Sequence, residues 1–149
     1  MDIKNQLYQA CLQNIERRIS NAQESLDAAI AAGNEETKSS AGDKHETART
    51  MMQIEQDKAR AQLIKAMQLK NKLAQIKTNH KYDRATGGAL AITGSGKFFI
   101  SIGIGKINLG GETYYAVSPE APIALAMMNK KEQEIVCFQN KEFVIQKIF

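Results

Sequence analysis

Two apolar seams at coiled-coil spacing fill the first 80 residues and restrict the fold more than any other feature. This part of the chain contains no proline, and glycine occurs in it only at positions 33 and 42. Within each seam, apolar residues recur mostly three, four or seven positions apart, which is the repeat of packed helices. The seams are Ile15, Ile19, Ala22, Leu26 and Ala29, followed by Ala59, Leu63, Ala66, Leu73 and Ile76.

These seams predict an antiparallel helical hairpin over residues 1–80. Neither helix could keep its apolar stripe out of water alone, so we expect the two stripes to pack on each other. The first helix is predicted to end at Ala32-Gly33-Asn34 and the second to run from Asp43 to about Asn79. Residues 33–46 would then form the hairpin tip.

A second domain is predicted over residues 81–149, where the periodicity changes to that of short strands. The predicted elements are strands at 89–93 and 97–104, a strand pair within 105–118, a helix at 122–128, and strands at 134–138 and 142–149. The predicted core consists of Phe98, Ile100, Ile102, Tyr115, Val117, Ile123, Leu125, Val136, Phe138, Val144 and Ile148. The whole chain is therefore expected to be an α+β protein of two domains, with an antiparallel sheet and one short helix.

Charge and cysteine content narrow the class of protein. The net charge of +4 and pI of about 9.1 are compatible with nucleic-acid binding but do not require it. Cys11 and Cys137 are too few and too far apart for a zinc site, so two reduced, partly buried thiols are expected. The sequence has no apolar segment of membrane-spanning length. A cytoplasmic protein without membrane contact is predicted.

Several signatures of independent enzymes are incomplete. The sequence GSGK at 94–97 lacks the spacing and the following helix of a phosphate-binding loop, so it is interpreted as a hairpin turn. His45 and His80 fall on different helices at opposite ends of the hairpin, which does not favour a shared metal site. No activated serine or cysteine motif occurs. An independent covalent enzyme is not indicated.

Two acidic residues, Asp43 and Glu46, stand three positions apart at the predicted tip. One interpretation is an N-cap acid with a second acid at N3, which stabilises the start of a helix. The other is that the two carboxylates complete a Mg²⁺ site belonging to a partner, because Mg²⁺ is commonly held by one or two carboxylates plus other groups.

The second helix is also rich in cations, including Lys58, Arg60 and Lys65. These side chains form either a solvated helix face or a strip that follows nucleic-acid phosphates. The residue types alone favour the solvated face.

Two motifs, GDKHETA at residues 42–48 and APIALAMMNKKEQEIV at residues 121–136, occur in the order that makes the chain resemble the Gre transcript cleavage factors. Residues 42–48, GDKHETA, match the family's Gly-Asp-x-x-Glu-x-Ala pattern at a hairpin tip. Residues 121–136, APIALAMMNKKEQEIV, are similar to the family's Ser-Pro-Ile-Ala segment, with Asn129 in place of a glycine. Asn tolerates the left-handed backbone that such a glycine adopts.

The resemblance implies a small FKBP-like domain that docks on RNA polymerase, with Pro122 and Ile123 as candidate docking residues. It also implies that the hairpin enters the secondary channel of the polymerase. Asp43 and Glu46 would there hold Mg²⁺ shared with the polymerase and stimulate cleavage of backtracked RNA. Lys58, Arg60 and Lys65 would guide the nascent RNA 3′ end. The chain would have no independent activity.

Departures from the family pattern keep other functions open. Thr47, Arg49 and Thr50 replace the family's Asn, acidic and aromatic residues, and Lys44 and Arg49 bring positive charge to the tip. A non-catalytic regulator that occupies the same channel is one alternative. A coiled-coil adaptor protein is another. Prolyl isomerase activity is not expected, since few aromatic residues are available to line a proline pocket.

Overall fold

A computed structural model describes residues 2–39 and 43–149, without the side chains of residues 35–39 and 43–45. The elements are α1 (Ile3–Ser39), α2 (Asp43–Ala74), β1 (Leu90–Thr93), β2 (Gly96–Ile100), β3 (Gly105–Leu109), β4 (Glu112–Val117), α3 (Pro122–Met127), β5 (Ile135–Phe138) and β6 (Lys141–Ile148). This is an α+β chain, as predicted. Its contacts divide it into two compact units, Ile15–Lys70 and Met1–Asn14 with Asn71–Phe149.

Helices α1 and α2 pair in antiparallel orientation along the predicted seams. The Gln56 Nε2 donates to the Ala29 carbonyl at 3.4 Å, and the Thr78 hydroxyl bonds the Asn5 side chain. Burial follows the apolar repeat, because each helix covers the stripe of the other. The fully or nearly fully buried seam residues are Ile15, Ala22, Leu26, Ala29, Ala59, Ala66 and Leu73, while Ile19, Leu63 and Ile76 are partly buried. The predicted helical hairpin is confirmed.

The first helix does not end at Ala32-Gly33-Asn34 but continues to Ser39, so that prediction is wrong. Gly33 stays helical although glycine costs a helix interior about 0.5–1 kcal/mol relative to Ala. A Cβ placed on it would lie 3.3 Å from the Gln56 Nε2 and 3.7 Å from the Met52 Cβ. Gly33 therefore marks a close approach of the two helices, and only residues 40–42 separate α1 from α2; these lie outside the described residues.

The second helix ends at Ala74, about five residues before the predicted end. The N–H groups of Gln75 and Ile76 bond the carbonyls of Lys72 and Leu73 at 3.2 and 3.0 Å. These bonds reach back three residues, which is the tightened pattern of a terminating turn. The chain then leaves the helix towards the sheet.

The six strands form one sheet in the order β3-β4-β2-β1-β6-β5. Four neighbouring pairs are antiparallel, but β2 and β4 are parallel, with Phe98 opposite Tyr115 and Ile100 opposite Val117. The parallel pair arises because the chain passes from β2 to the edge position of β3 and returns through β4. The predicted strand at 97–104 stops at Ile100 for the same reason, since the residues after it carry the chain to that edge.

The sheet buries side chains on both faces. One face holds a cluster that includes Phe98, Ile100, Val136 and Ile148 from the sheet with Ala124 and Met127 from α3. Phe99 and Ile102 are buried as well, and so are Leu7 and Cys11 of α1 in the same unit. Three predicted core residues are instead exposed, namely Leu125 at 59%, Tyr115 at 38% and Val144 at 37%.

Helical and strand periodicity explain why two of these residues, Leu125 and Val144, are exposed and not in the core. Helix α3 turns Ala124 and Met127, three residues apart, towards the sheet, so Leu125 faces away. In β6 the neighbours of Val144 on either side, Phe143 and Ile145, are both buried, which places Val144 on the opposite face. Partial burial is found for Val117, Ile123 and Phe138.

Asn129, which follows α3, adopts the left-handed backbone expected of it, with φ of 65°. Its N–H donates to the Ala85 carbonyl at 2.8 Å, and the Ala85 N–H donates to the Lys130 carbonyl at 2.8 Å. This exchange ties the segment before β1 to the turn after α3. The left-handed conformation is therefore part of the sheet unit's packing.

We predict that Asn129→Gly leaves thermal unfolding nearly unchanged, whereas Asn129→Val lowers the free energy of unfolding by about 1–2 kcal/mol. Glycine adopts this φ without strain, while a β-branched residue clashes with its own carbonyl. Near-UV circular dichroism of the tyrosines follows the sheet unit. Equal stability of the two variants would contradict the assignment of strain to this residue.

Candidate functional site

The two tip acids both lie in the first turn of α2, because that helix begins at Asp43. The Glu46 side chain is exposed, and its carbonyl accepts a hydrogen bond from the Thr50 hydroxyl at 2.9 Å. The side chain of Asp43 lies outside the described residues. Residues three apart are neighbours on a helix surface, and the helix dipole favours carboxylates at this end.

The start of α2 bears on the two interpretations of these acids. Asp43 is already helical, so the predicted pairing of an N-cap acid with an N3 acid is displaced by one position. Among the described side chains, no group of three or more His, Cys, Asp and Glu could hold a metal ion. Two carboxylates alone fall short of the six oxygens around Mg²⁺. They could hold Mg²⁺ only together with water or with ligands from another molecule.

Positive charge lies close to the exposed acid. Arg49 is three residues after Glu46 on the same helix and is also exposed. Residues at this spacing interact across the helix surface, so the guanidinium reduces the negative potential around the carboxylate. The side chains of Lys44 and His45 lie outside the described residues.

The three candidate RNA-guiding cations do not share one side of α2. Lys58 and Lys65 are seven residues apart and therefore lie on the same side of the helix. Arg60 lies on another side, where it contacts Asp57 at 3.5 Å and the Gln56 side chain at 3.4 Å. The predicted strip is thus divided between two sides of the hairpin.

Lys65 belongs instead to a groove between α1 and α2 that was not found from the sequence. The cavity has a volume of about 300 Å³, and the small side chains of Ala22 and Ala66 lie within it, each 3% exposed. The remaining lining residues are Arg18, Asn21, Ser25, Gln62, Lys65 and Leu69. A signal existed in the spacing, because the lining positions 18, 21 and 25 on α1 and 62, 65 and 69 on α2 follow three- and four-residue steps.

The sheet unit has a groove of about 450 Å³ beside α3. Pro122 and Ile123 line it, so the structure brings both candidate docking residues together. Four aromatic residues also line it, which makes the expectation of few pocket aromatics wrong for this groove. They are Phe98, Tyr115, Phe138 and Phe143, and the remaining lining residues are Ser95, Val117, Gln139 and Lys141.

The potential nucleophiles do not form an activated pair within the described part of the chain. Burial raises the pKa of the Cys11 thiol to about 12, with a smaller opposing effect from its hydrogen bond to Ser101. Cys137 is exposed, contrary to the predicted partial burial, and its sulfur lies 3.8 Å from the Glu142 Oε1. His80 is exposed, and its ring contacts that of Tyr82 at 4.4 Å.

A cluster of polar side chains on β2 and β4 holds these two neighbouring strands together and does not form a catalytic or binding site. Lys97 donates to the Glu112 carboxylate, and the Tyr114 hydroxyl donates to the same oxygen at 3.2 Å. The hydrogen bond raises the pKa of Lys97 and lowers that of Glu112, while burial first and Glu112 second raise the pKa of Tyr114. The positive charge of Lys97 and the negative charge of Glu112 therefore compensate each other.

Comparison with known proteins adds no family assignment, since no protein-family model and no curated protein matches the chain. The resemblance to the Gre factors consequently rests on residues 42–48 and 121–136. None of the helices over residues 2–39 and 43–149 combines the length and apolar character needed to cross a membrane.

The two thiols are predicted to differ sharply in reactivity. A pKa of about 12 leaves a thiolate fraction on the order of 10⁻⁴ for Cys11 at about pH 8. A disulfide reagent such as DTNB should therefore titrate one thiol in the native protein and two after denaturation. Cys137→Ser should abolish the native reaction. Rapid modification of that variant under native conditions would contradict the burial of Cys11.

Proposed function

We propose that the chain is a Gre-like transcription elongation factor that binds the secondary channel of RNA polymerase and stimulates cleavage of backtracked nascent RNA. The observation that carries this proposal is the position of Asp43 and Glu46. They occupy the first turn of α2, directly after the three residues that join the two helices, and Glu46 is exposed. Carboxylates at the end of a hairpin are accessible to a site on another molecule.

The carboxylates would contribute part of a metal site and not a complete catalytic centre. Mg²⁺ held jointly with the polymerase would supply Lewis-acid stabilisation of the oxygens in phosphodiester hydrolysis. Glu46 presents its carboxylate to solvent, and Asp43 is its neighbour one turn earlier. The polymerase would provide the remaining ligands and the RNA 3′ end. This division of labour explains why the chain itself would not be an independent enzyme.

The aromatic groove beside α3 is the proposed docking surface for the polymerase. Pro122 opens α3 and is exposed, and the half-exposed ring of Tyr115 lies 5.9 Å from the Phe98 ring. Among the described lining residues, Lys141 is the one that carries charge. An apolar segment of the polymerase with an acidic neighbour would fit this lining.

A second candidate function is regulation of the polymerase without cleavage. Arg49, exposed three residues after Glu46, favours it, because a guanidinium beside the acids weakens cation binding by Coulomb repulsion. The partner and the route would be unchanged, and both functions place the protein in the cytoplasm. An adaptor role would follow if the chain did not bind core polymerase.

Removal of the two acids tests the cleavage function. We expect Asp43→Ala with Glu46→Ala to slow transcript cleavage in a backtracked complex by roughly tenfold to a hundredfold while binding persists. Glu55→Ala with Asp57→Ala is the matched control, since it removes two acids farther along α2. If both double variants cleave like the original chain, or if the chain never stimulates cleavage, the regulatory function replaces the first.

Docking is tested separately on the groove. Tyr115→Ser should weaken binding to core polymerase by about tenfold, because it removes an exposed aromatic wall of the cavity. Leu125→Ser is the control, since Leu125 is 59% exposed on α3 but does not line the groove. Loss of binding in the Leu125 variant alone would assign docking to a different face of α3.

A further inference from the structure

One side of the helical hairpin exposes apolar side chains next to a cavity. Ile64 and Met67 of α2 are 57% and 51% exposed, and they are neighbours on the helix surface because they stand three residues apart. Met67 lies about 200° around the helix from Lys65, so this side is not the one that carries the groove of Arg18 and Lys65. Lys70, three residues after Met67, lines a cavity of about 340 Å³ on the same side. We call this side of the hairpin the Met67 face.

The cavity of the Met67 face has walls that come mainly from α1. Its lining residues are Glu16, Ile19, Ser20, Gln23 and Glu24 of α1 and Lys70 of α2. Ile19 is partly buried and gives the cavity an apolar surface, whereas the charged residues are exposed. None of these three charges forms an ion pair among the described residues, so all three are available to a partner. The opening suits a long, flexible apolar side chain with charged groups around it.

Met67 and the cavity lie at the same level of the hairpin. Ala22 of α1 and Ala66 of α2 line one groove between the two helices, which places them at the same height. Met67 directly follows Ala66, and Ala22 falls within the stretch of α1 that lines the cavity. A second hairpin that packs on this face without a shift in level would therefore place its Met67 over the cavity.

We propose that a second copy of this chain packs on the Met67 face, about a two-fold axis parallel to the helices. Rotation about such an axis keeps every residue at its level and sets α1 of one copy against α2 of the other. Met67 of each copy then enters the cavity of the other copy. The product is a bundle of four helices, which buries the exposed Ile64 and Met67 side chains.

The charges of the Met67 face select this orientation. The acids Glu16 and Glu24 stand on α1, whereas Lys70 stands on α2 at the level of the same cavity. In the proposed pairing, both acids of each copy face Lys70 of the other copy. An axis perpendicular to the helices would instead set α1 against α1 and bring acids together, which Coulomb repulsion disfavours. The face is thus electrostatically complementary to itself in one orientation.

The size of the Met67 face indicates a reversible dimer. From Glu16 to Ile30, α1 extends about 21 Å, and two helices side by side are about 20 Å wide, so pairing buries roughly 800 Å² in total. Interfaces of this size belong to weak, transient complexes, so we expect a dissociation constant on the order of tens of micromolar.

Sedimentation velocity of the full-length chain, with reductant present and at about 2 to 200 µM, tests the proposal. Met67→Asp should weaken self-association at least about tenfold, because it places a third acid beside Glu16 and Glu24. The matched control is Met51→Asp, since Met51 is 58% exposed and lies about 160° around α2 from Met67. Its self-association should change less than about twofold. Far-UV circular dichroism confirms that both variants keep their helices.

Equal losses in the two methionine variants would assign self-association to another surface and overturn the proposal. A chain that stays monomeric at the highest concentration would leave the Met67 face to a different partner and overturn it as well. The measurement requires no polymerase, so its failure and the failure of the proposed function are distinguishable.

Exchange of charges tests which helices meet. Lys70→Glu, and separately Glu16→Lys with Glu24→Lys, should each abolish self-association, because like charges then face each other across the contact. An equimolar mixture of these two variants should associate again, since every acid of one copy then faces a lysine of the other. A mixture that stays monomeric would overturn the pairing of α1 with α2.

Discussion

The antiparallel seam between α1 and α2 is the constraint on which the candidate sites of the hairpin depend. Its buried alanines and leucines fix which residues of one helix lie opposite the other, and Gly33 lets the backbones approach near Met52 and Gln56. Once that register is fixed, the first turn of α2 must carry Asp43 and Glu46 at the junction of the helices. The same register sets Arg18 of α1 across from Lys65 of α2.

The seam also sorts the surface charges of the hairpin. A helix advances 100° per residue, so the face that enters the seam determines which cations flank it on either side. Lys58 and Lys65 fall on one flank, while Arg60 and Lys70 fall on the other, where Asp57, Glu16 and Glu24 moderate their charge. The net charge of the whole chain is only +4, but this charge is unevenly distributed over the hairpin. On one side, the described residues that line the groove include Arg18 and Lys65 and no acidic residue.

The sequence predicted the parts of the fold that depend on local periodicity. The helical seams, the strand order along the chain and the left-handed Asn129 all follow from spacing or from the properties of single residues. Features that depend on distant pairing were not accessible in this way. Helix α1 passes through Gly33 because α2 packs against it, and the parallel pairing of β2 with β4 is decided by where the chain crosses the sheet.

The candidate sites also divide into those that local sequence reveals and those that depend on the pairing of distant residues. Asp43, Glu46, Pro122 and Ile123 were found because they form short motifs, and Lys58, Arg60 and Lys65 because they are charged. The position of Arg18 in a groove with Lys65 was missed, since 47 positions separate them in the chain and only the packing of the helices brings them together. The aromatic groove was underestimated because its rings come from four different strands.

The sheet unit is discontinuous in sequence, since it includes Met1–Asn14 as well as Asn71–Phe149. Leu7 and Cys11 are fully buried in it, so the first helical turns of the chain are part of its core. During synthesis on the ribosome these turns emerge long before residues 71–149, which complete the same unit. The nascent helix must therefore keep its apolar residues exposed, or shielded by a chaperone, until that later part of the unit is released.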